Sequence, residues 1–156
     1  MKKILITGSS SFLGSHCVKN FKALGWHVDG PGQSTDYPMT NLLSLVKQSP
    51  DQLTVWGTGE QTRDFVHIDD IVKVINWAIT DITKYFTVNI GSGQSTSFLE
   101  LIDLIYQIMY QRKCPQITRL LDKPMGVQHR LTDVTLLGSL GLLPAISLQQ
   151  GILTLL

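Results

Sequence analysis

The opening stretch "KKILITGSSSFLGSH" constrains the fold most. Its apolar run over 3–7 ends at Gly8, the pattern of a short parallel strand buried in a sheet. Leu13, Cys17, Phe21 and Leu24 then recur at helical spacing over 12–24, and Gly25 supplies a stop for that helix. A strand, a Gly/Ser turn and a helix in this order predict an α/β fold. Gly8 and Gly14 bracket the turn, where backbone N–H groups and the positive end of the helix dipole converge on one point. That point suits a phosphate or pyrophosphate.

Similar reasoning carries along the chain. Residues 26–28 read as a brief strand, and 39–47 as a helix with Leu42, Leu43 and Val46 on one face. Residues 53–56 and 64–68 flank "GTGEQT" and predict a hairpin or an offset strand pair. Asp69 is expected to cap a helix whose inner face holds Val72, Ile75, Trp77, Ala78 and Ile79. Asp70 beside it reads as part of the same helix start. Trp56 and Trp77 are expected in the core or a cleft wall. Residues 86–90 predict a further strand closed by "GSG". Ser97 and Glu100 form an S-x-x-E capping box ahead of Phe98, Leu101, Ile102, Ile105, Ile108 and Met109. Ser147 and Gln150 repeat the device before Leu148, Ile152 and Leu155.

With 43% apolar and 16% charged residues in 156, the chain can bury a core. Thirteen Lys and Arg nearly cancel twelve Asp and Glu. No overall field exists to hold nucleic acid or an anionic membrane surface, so the charged partner expected is a small, localised anion. The apolar run at the N-terminus is too short for a signal segment or a membrane span. Cys17 and Cys114 lie far apart without a CxxC spacing, which predicts reduced thiols in a cytoplasmic protein. His16, His27, His67 and His129 are scattered, and no metal site is expected.

The glycine spacing also fits the first turn of dinucleotide-binding folds, where the first glycine permits the tight turn and the last lets helix and strand pack closely. Ser11 stands where the middle glycine of GxxGxxG would be. With "VWGTGEQTRDFVHIDDIV", "FTVNIGSGQSTSFLELIDLI" and "KPMGVQHRLTDVTLLGSLGLLPAISLQQGI", the opening resembles, in order, the extended short-chain dehydrogenase/reductase family of NAD(P)-dependent sugar-nucleotide epimerases, dehydratases and reductases. Among its members the later segments look most like GDP-L-fucose synthase and UDP-glucose 4-epimerase. The resemblance implies a reduced Rossmann-like parallel sheet flanked by helices, followed by the family's C-terminal substrate-binding elements. It also implies NAD or NADP held at Gly8, Ser10, Ser11, Phe12, Leu13 and Gly14, and a nucleotide sugar as partner.

The family's reaction requires a Tyr-x-x-x-Lys pair, the Tyr as acid/base and the Lys lowering its pKa. The residues four positions after Tyr37, Tyr85, Tyr106 and Tyr110 are Asn41, Asn89, Tyr110 and Cys114. No catalytic residue is therefore assigned. By the same resemblance, "GWHV" matches the end of the first strand-helix unit, and "VDGPGQ" matches a strand end beyond the catalytic region. Residues 1–28 then read as the first unit of a dinucleotide-binding fold and 29–156 as the family's C-terminal half, joined with the catalytic middle missing. Asp29 has two readings, a ribose-binding acid or a solvated loop carboxylate.

Arg63 matches the family arginine on the sugar-nucleotide pyrophosphate, a role suited to a forked guanidinium. The alternative is a surface arginine paired with Asp64 or Glu60. Lys123 and Arg130 match a loop that closes on the nucleotide sugar. "NIGSG" reads as a strand end whose glycines permit a tight turn. Without its middle, the first strand lacks neighbours, and exposed edges favour another chain. The expectation is a rewired sheet of four or five strands, or a homodimer in which two copies complete each other.

Overall fold

The computed structural model describes residues 2–29, 38–48, 51–82, 85–114, 116–124 and 126–156. Its elements run β1 (Lys3–Leu5), α1 (Phe12–Ala23), β2 (His27–Asp29), α2 (Pro38–Gln48), β3 (Leu53–Trp56), β4 (Thr62–Arg63), α3 (Ile68–Asp81), β5 (Thr96–Ser97), α4 (Phe98–Tyr110), β6 (Ile117–Leu120), α5 (Thr135–Ser139) and α6 (Leu148–Leu153). The chain is α/β, with parallel strand pairs flanked by helices, and it divides into two compact units. One comprises Met1–Asp36 with Ile68–Phe86, the other Tyr37–His67 with Thr87–Leu156.

In the first unit β1 and β2 pair in parallel, with Ile4 beside Val28 and Leu5 beside Asp29. Helix α1 ends as Gly25 predicts. Gly25 takes φ +76°, its N–H donates to the Lys22 carbonyl, and the Trp26 N–H donates to the Phe21 carbonyl. This is the Schellman arrangement, and it satisfies two carbonyls that the helix end would otherwise leave open. Cys17, Phe21 and Val72 are buried, with Ile4, Ile6, Trp26 and Ile75 packed against them. Asn20 and Asn76 join α1 to α3 by reciprocal side-chain hydrogen bonds of 2.9 and 3.3 Å.

The second unit is built round α4. Its capping box forms in both halves: Ser97 Oγ accepts from the Glu100 N–H, and the Glu100 carboxylate accepts from the Ser97 N–H. Leu101, Ile102, Ile105 and Tyr106 of this helix are buried with Leu43 and Val46 of α2, Leu53 and Val55 of β3, and Ile152 of α6. Helix α6 begins at the second expected capping box, Ser147 with Gln150. Strand β3 alternates, Leu53 and Val55 inward, Thr54 and Trp56 outward.

Several expectations are corrected. Strand β3 pairs in parallel with β6 and β4 pairs antiparallel with β5, so "GTGEQT" closes no hairpin and joins two different sheets. Residues 86–90 form no ladder among the described residues. Helix α3 starts at Ile68, which puts Asp69 in its first turn rather than at its cap, and Ile79 of the expected inner face is exposed. In place of one sheet of four or five strands, the described residues form three two-stranded sheets. Trp56 is also not a core residue: it ends β3 on the outward register and is 60% exposed.

Candidate functional site

Each unit carries part of the expected machinery. In the first, Gly8 adopts φ +69° and its carbonyl accepts from the Ser11 N–H at 2.8 Å, closing the turn after β1. Ser11 is the N-cap of α1, and its Oγ accepts from the Gly14 N–H at 3.1 Å. Gly14 lies so close to the turn that a Cβ there would stand 2.0 Å from the Gly8 carbonyl oxygen. The two glycines thus do what their spacing predicts, one by conformation and one by close approach. Phe12 and Leu13 are exposed, Ser10 is half-buried, and the first turn of α1 contains no acidic residue.

The serine in the middle place changes the chemistry of the turn without closing it. One first-turn amide, that of Gly14, is already bonded to Ser11 Oγ. Because that oxygen is the acceptor in the contact, its own O–H is left to donate outward. An anion at this helix start would meet a hydroxyl donor where the glycine version offers bare backbone. Asp29 ends β2 beside Leu5 of β1, and residues 30–37, which hold Tyr37 and most of the proposed junction loop, lie outside the described residues.

In the second unit, Arg63 ends β4. Its Nη1 donates to the Thr62 carbonyl at 2.7 Å and to the Val127 carbonyl at 2.8 Å, and the guanidinium lies 5.6 Å from the centre of the Phe98 ring. Among the described residues Nη2 and Nε have no hydrogen bond, and the alternative pairing with Asp64 or Glu60 is not formed. The segment carrying Arg130 runs along the same strand. The Thr62 N–H donates to the Gln128 carbonyl at 2.8 Å, the Arg130 N–H to the Thr62 carbonyl at 3.2 Å, and Thr62 bridges His129 in parallel register. Arg63 and Arg130 are thereby fixed to one strand edge, with the Arg130 side chain exposed.

Lys123 stands elsewhere, on the turn after β6, where its N–H donates to the Leu120 carbonyl. Leu120 pairs with Trp56, so the exposed Trp56 and Lys123 share the carboxyl end of the β3–β6 pair. In parallel α/β sheets that end is where ligands bind. The motif reading missed Trp56 as a surface aromatic, although period-two alternation from Leu53 puts it outward.

Sequence reasoning also missed Asp64. One carboxylate oxygen accepts from the Ser92 N–H at 2.8 Å and from the Ser92 hydroxyl; the other accepts from the Gly93 N–H at 3.1 Å and the Thr132 N–H at 3.2 Å. Burial pushes its pKa up, but the hydrogen bonds from Ser92, Thr132 and Gly93 outweigh it and hold the carboxyl below its ordinary value. The "NIGSG" turn wraps this group closely. A Cβ on Gly91 would come within 2.4 Å of Thr132 Oγ1 and 2.6 Å of Asp64 Oδ2.

Tyr106 and Tyr110 belong to the core. Tyr106 is fully buried, and burial with the Cys114 contact pushes its phenol above the ordinary range, while the Tyr110 hydroxyl donates to the Val46 carbonyl. Among the described residues, no group of three or more His, Cys, Asp and Glu is placed to hold a metal, and no helix is long and apolar enough to cross a membrane.

Known proteins give this geometry a setting. Residues 27–91 match the model of the NAD dependent epimerase/dehydratase family. A GDP-L-fucose synthase from Arabidopsis thaliana is 33% identical over 103 residues, which cover 65% of this chain and 31% of that protein. The chain thus spans about a third of the length of such curated relatives. Among solved structures, the NAD-dependent NDP-hexosamine 5,6-dehydratase TunA superposes with a TM-score of 0.60 at 26% identity, over 81% of this chain and 42% of that one. MoeE5, solved with UDP-glucuronic acid and NAD, superposes with a TM-score of 0.64 at 20% identity, over 99% of this chain and 63% of that one.

Proposed function

We propose that this chain, which is similar over residues 27–91 to the NAD dependent epimerase/dehydratase family, is a member of it and binds a nucleotide sugar at its basic strand edge without turning it over by itself. The observation that carries this reading is the half-used guanidinium of Arg63. Two carbonyls fix Nη1, which leaves Nη2 and Nε as a fork directed by the anchored half. A fork held in this way suits the oxygens of a diphosphate. Arg130 adds a second cation on the same edge, and Lys123 with Trp56 offers a cation and a ring face for a phosphate and a base. The resemblance of the relatives' names, GDP-L-fucose synthase among them, supports a nucleotide-linked sugar as ligand.

The glycine turn is read as the place for NAD or NADP, with Gly8 and Gly14 shaping the backbone and Ser10, Ser11, Phe12 and Leu13 lining it. When bound, such a group would supply hydride transfer. What the chain lacks is the acid/base to accompany it, since no tyrosine is followed by lysine at the fourth position. The shortened reading, with residues 1–28 joined to 29–156, accounts for that loss.

Calorimetry with UDP and GDP tests the binding. Arg63→Lys keeps the charge but not the fork, and Arg63→Met removes both. The loss of one or two charge-assisted hydrogen bonds should weaken binding by about 10- to 100-fold in Arg63→Met and less in Arg63→Lys. Wild-type protein giving no heat with either nucleotide at millimolar concentration would overturn the reading. Turnover of UDP- or GDP-sugars by the chain alone would overturn its inactive half.

A second reading, an assembly of two copies, is favoured by the first unit. Strand β1 has one partner, β2, among the described residues, and Leu5 at its end is 75% exposed. Two-stranded sheets are marginal, and open edges recruit strands. Light scattering is expected to give twice the chain mass at micromolar concentration, and a monomer at all concentrations would remove this reading.

A further inference from the structure

We propose that Asp64 is the positioning residue of the basic edge, its carboxylate fixing the register of the Arg130 segment against the strand that carries Arg63. The inference rests on the reading of that edge as a diphosphate site. A parallel ladder centred on Thr62 and His129 uses the Thr62 N–H to the Gln128 carbonyl, then the Arg130 N–H to the Thr62 carbonyl. Continued in the same register, its next two bonds would run from the Asp64 N–H to the Arg130 carbonyl and from the Thr132 N–H to the main-chain carbonyl of Asp64. In the structure, the Thr132 N–H donates to Asp64 Oδ2 instead. The side chain takes the donor that the main-chain carbonyl would have met, so a carboxylate ties the segment beyond the last ladder bond.

The substitution has a geometric use. A main-chain carbonyl accepting from Thr132 could fix only the 128–132 segment. The carboxylate fixes that segment and, through Ser92 and Gly93, the turn from the end of "NIGSG" as well. Asp64 is also the immediate neighbour of Arg63 in the chain. Three stretches meet at one rigid group, and the two arginines lie on two of them. Their separation then depends on a short, multiply bonded anchor, where a diphosphate bridging both needs a fixed span.

Ser92→Ala, Asp64→Asn and Asp64→Glu separate positioning from bulk stabilisation. Ser92→Ala removes one donor to Asp64 but leaves the Thr132 bond, so its loss of affinity for UDP and GDP should be smaller than that of Asp64→Asn. Asp64→Asn presents an NH2 to donors that need an acceptor. Hydrogen exchange should show the Arg130 and Thr132 amides losing protection, with the α4 amides unchanged, and calorimetry a tenfold or greater loss of affinity. Asp64→Glu keeps the acceptor but displaces it by one methylene, so Thr132 should stay protected while affinity still falls; it also carries the comparison if Asp64→Asn does not fold. Wild-type affinity in folded Asp64→Asn or Asp64→Glu, or full protection of the Arg130 amide in Asp64→Asn, would overturn the positioning role. If the wild-type protein binds neither nucleotide, the diphosphate reading fails, and protection of the Arg130 amide still decides whether Asp64 sets the register.

Discussion

Gly14→Ala is expected to destabilise the first unit by about 3 kcal/mol or more, the range of severe overpacking. The added Cβ would stand 2.0 Å from the Gly8 carbonyl oxygen, 2.7 Å from its carbon and 2.8 Å from the Ser9 Cα. All three atoms are backbone, so no side-chain rotation relieves the contact. Either the turn after β1 opens or α1 moves off the strand, and both disturb the packing of Ile4 and Ile6 against Cys17 and Phe21. Because the buried set here is small, little else can absorb the shift. Gly25→Ala is the control. Gly25 also has positive φ, +76°, but a Cβ there meets nothing within 4 Å, so the cost should be only about 1 kcal/mol, that of the left-handed conformation. Urea unfolding followed by tryptophan fluorescence measures both, since Trp26 packs against Phe21 with ring centres 5.2 Å apart. Equal midpoints for Gly14→Ala and Gly25→Ala would show that the close approach is not what the turn requires.

These two glycines also show which parts of the molecule could be read from the chain. The turn at Gly8, the stop at Gly25 and the capping boxes at Ser97 and Ser147 are local, each made by residues within a few positions, and each forms as expected. Strand partnership is not local. Residues 53–56 and 62–63 sit either side of a glycine-rich turn that suggests a hairpin, yet Leu53 pairs with Ile117 and Thr62 with Ser97. Strand β6 shows why: its burial pattern, half-buried at both ends and exposed between, does not alternate, and "ITRL" gives no period-two signal. The candidate site divides the same way. Arg63 was legible because it stands in a quotable motif, but its anchoring to Val127 was not. Asp64 lies next to it in the same motif, and its donors are 28, 29 and 68 positions away. Nothing in the neighbouring residues announces them.

Those distant donors give the other large effect, seen in acid. The carboxyl of Asp64 is pushed up by burial but held lower on balance by Ser92, Thr132 and Gly93. A group whose folded pKa is depressed binds fewer protons folded than unfolded, so its contribution is complete above the ordinary aspartate pKa of about 3.9 and is lost as pH falls through the folded value. Glu100, held down by Ser97, and Asp133, held down by Thr135, act with the same sign, but both are exposed and screened. Asp64→Asn should therefore lower stability at pH 7 by about 2 kcal/mol, the scale of a partly buried charged acceptor replaced by a mismatched amide. The gap between wild type and variant should close as the carboxyl is protonated, because a protonated Asp64 also turns one acceptor into a donor. Urea midpoints measured for both proteins from pH 7 down to the acid transition check this. A gap that stays constant across that range would mean that the contacts at Asp64 do not depend on its charge, and that shape alone holds the Ser92, Gly93 and Thr132 backbone together.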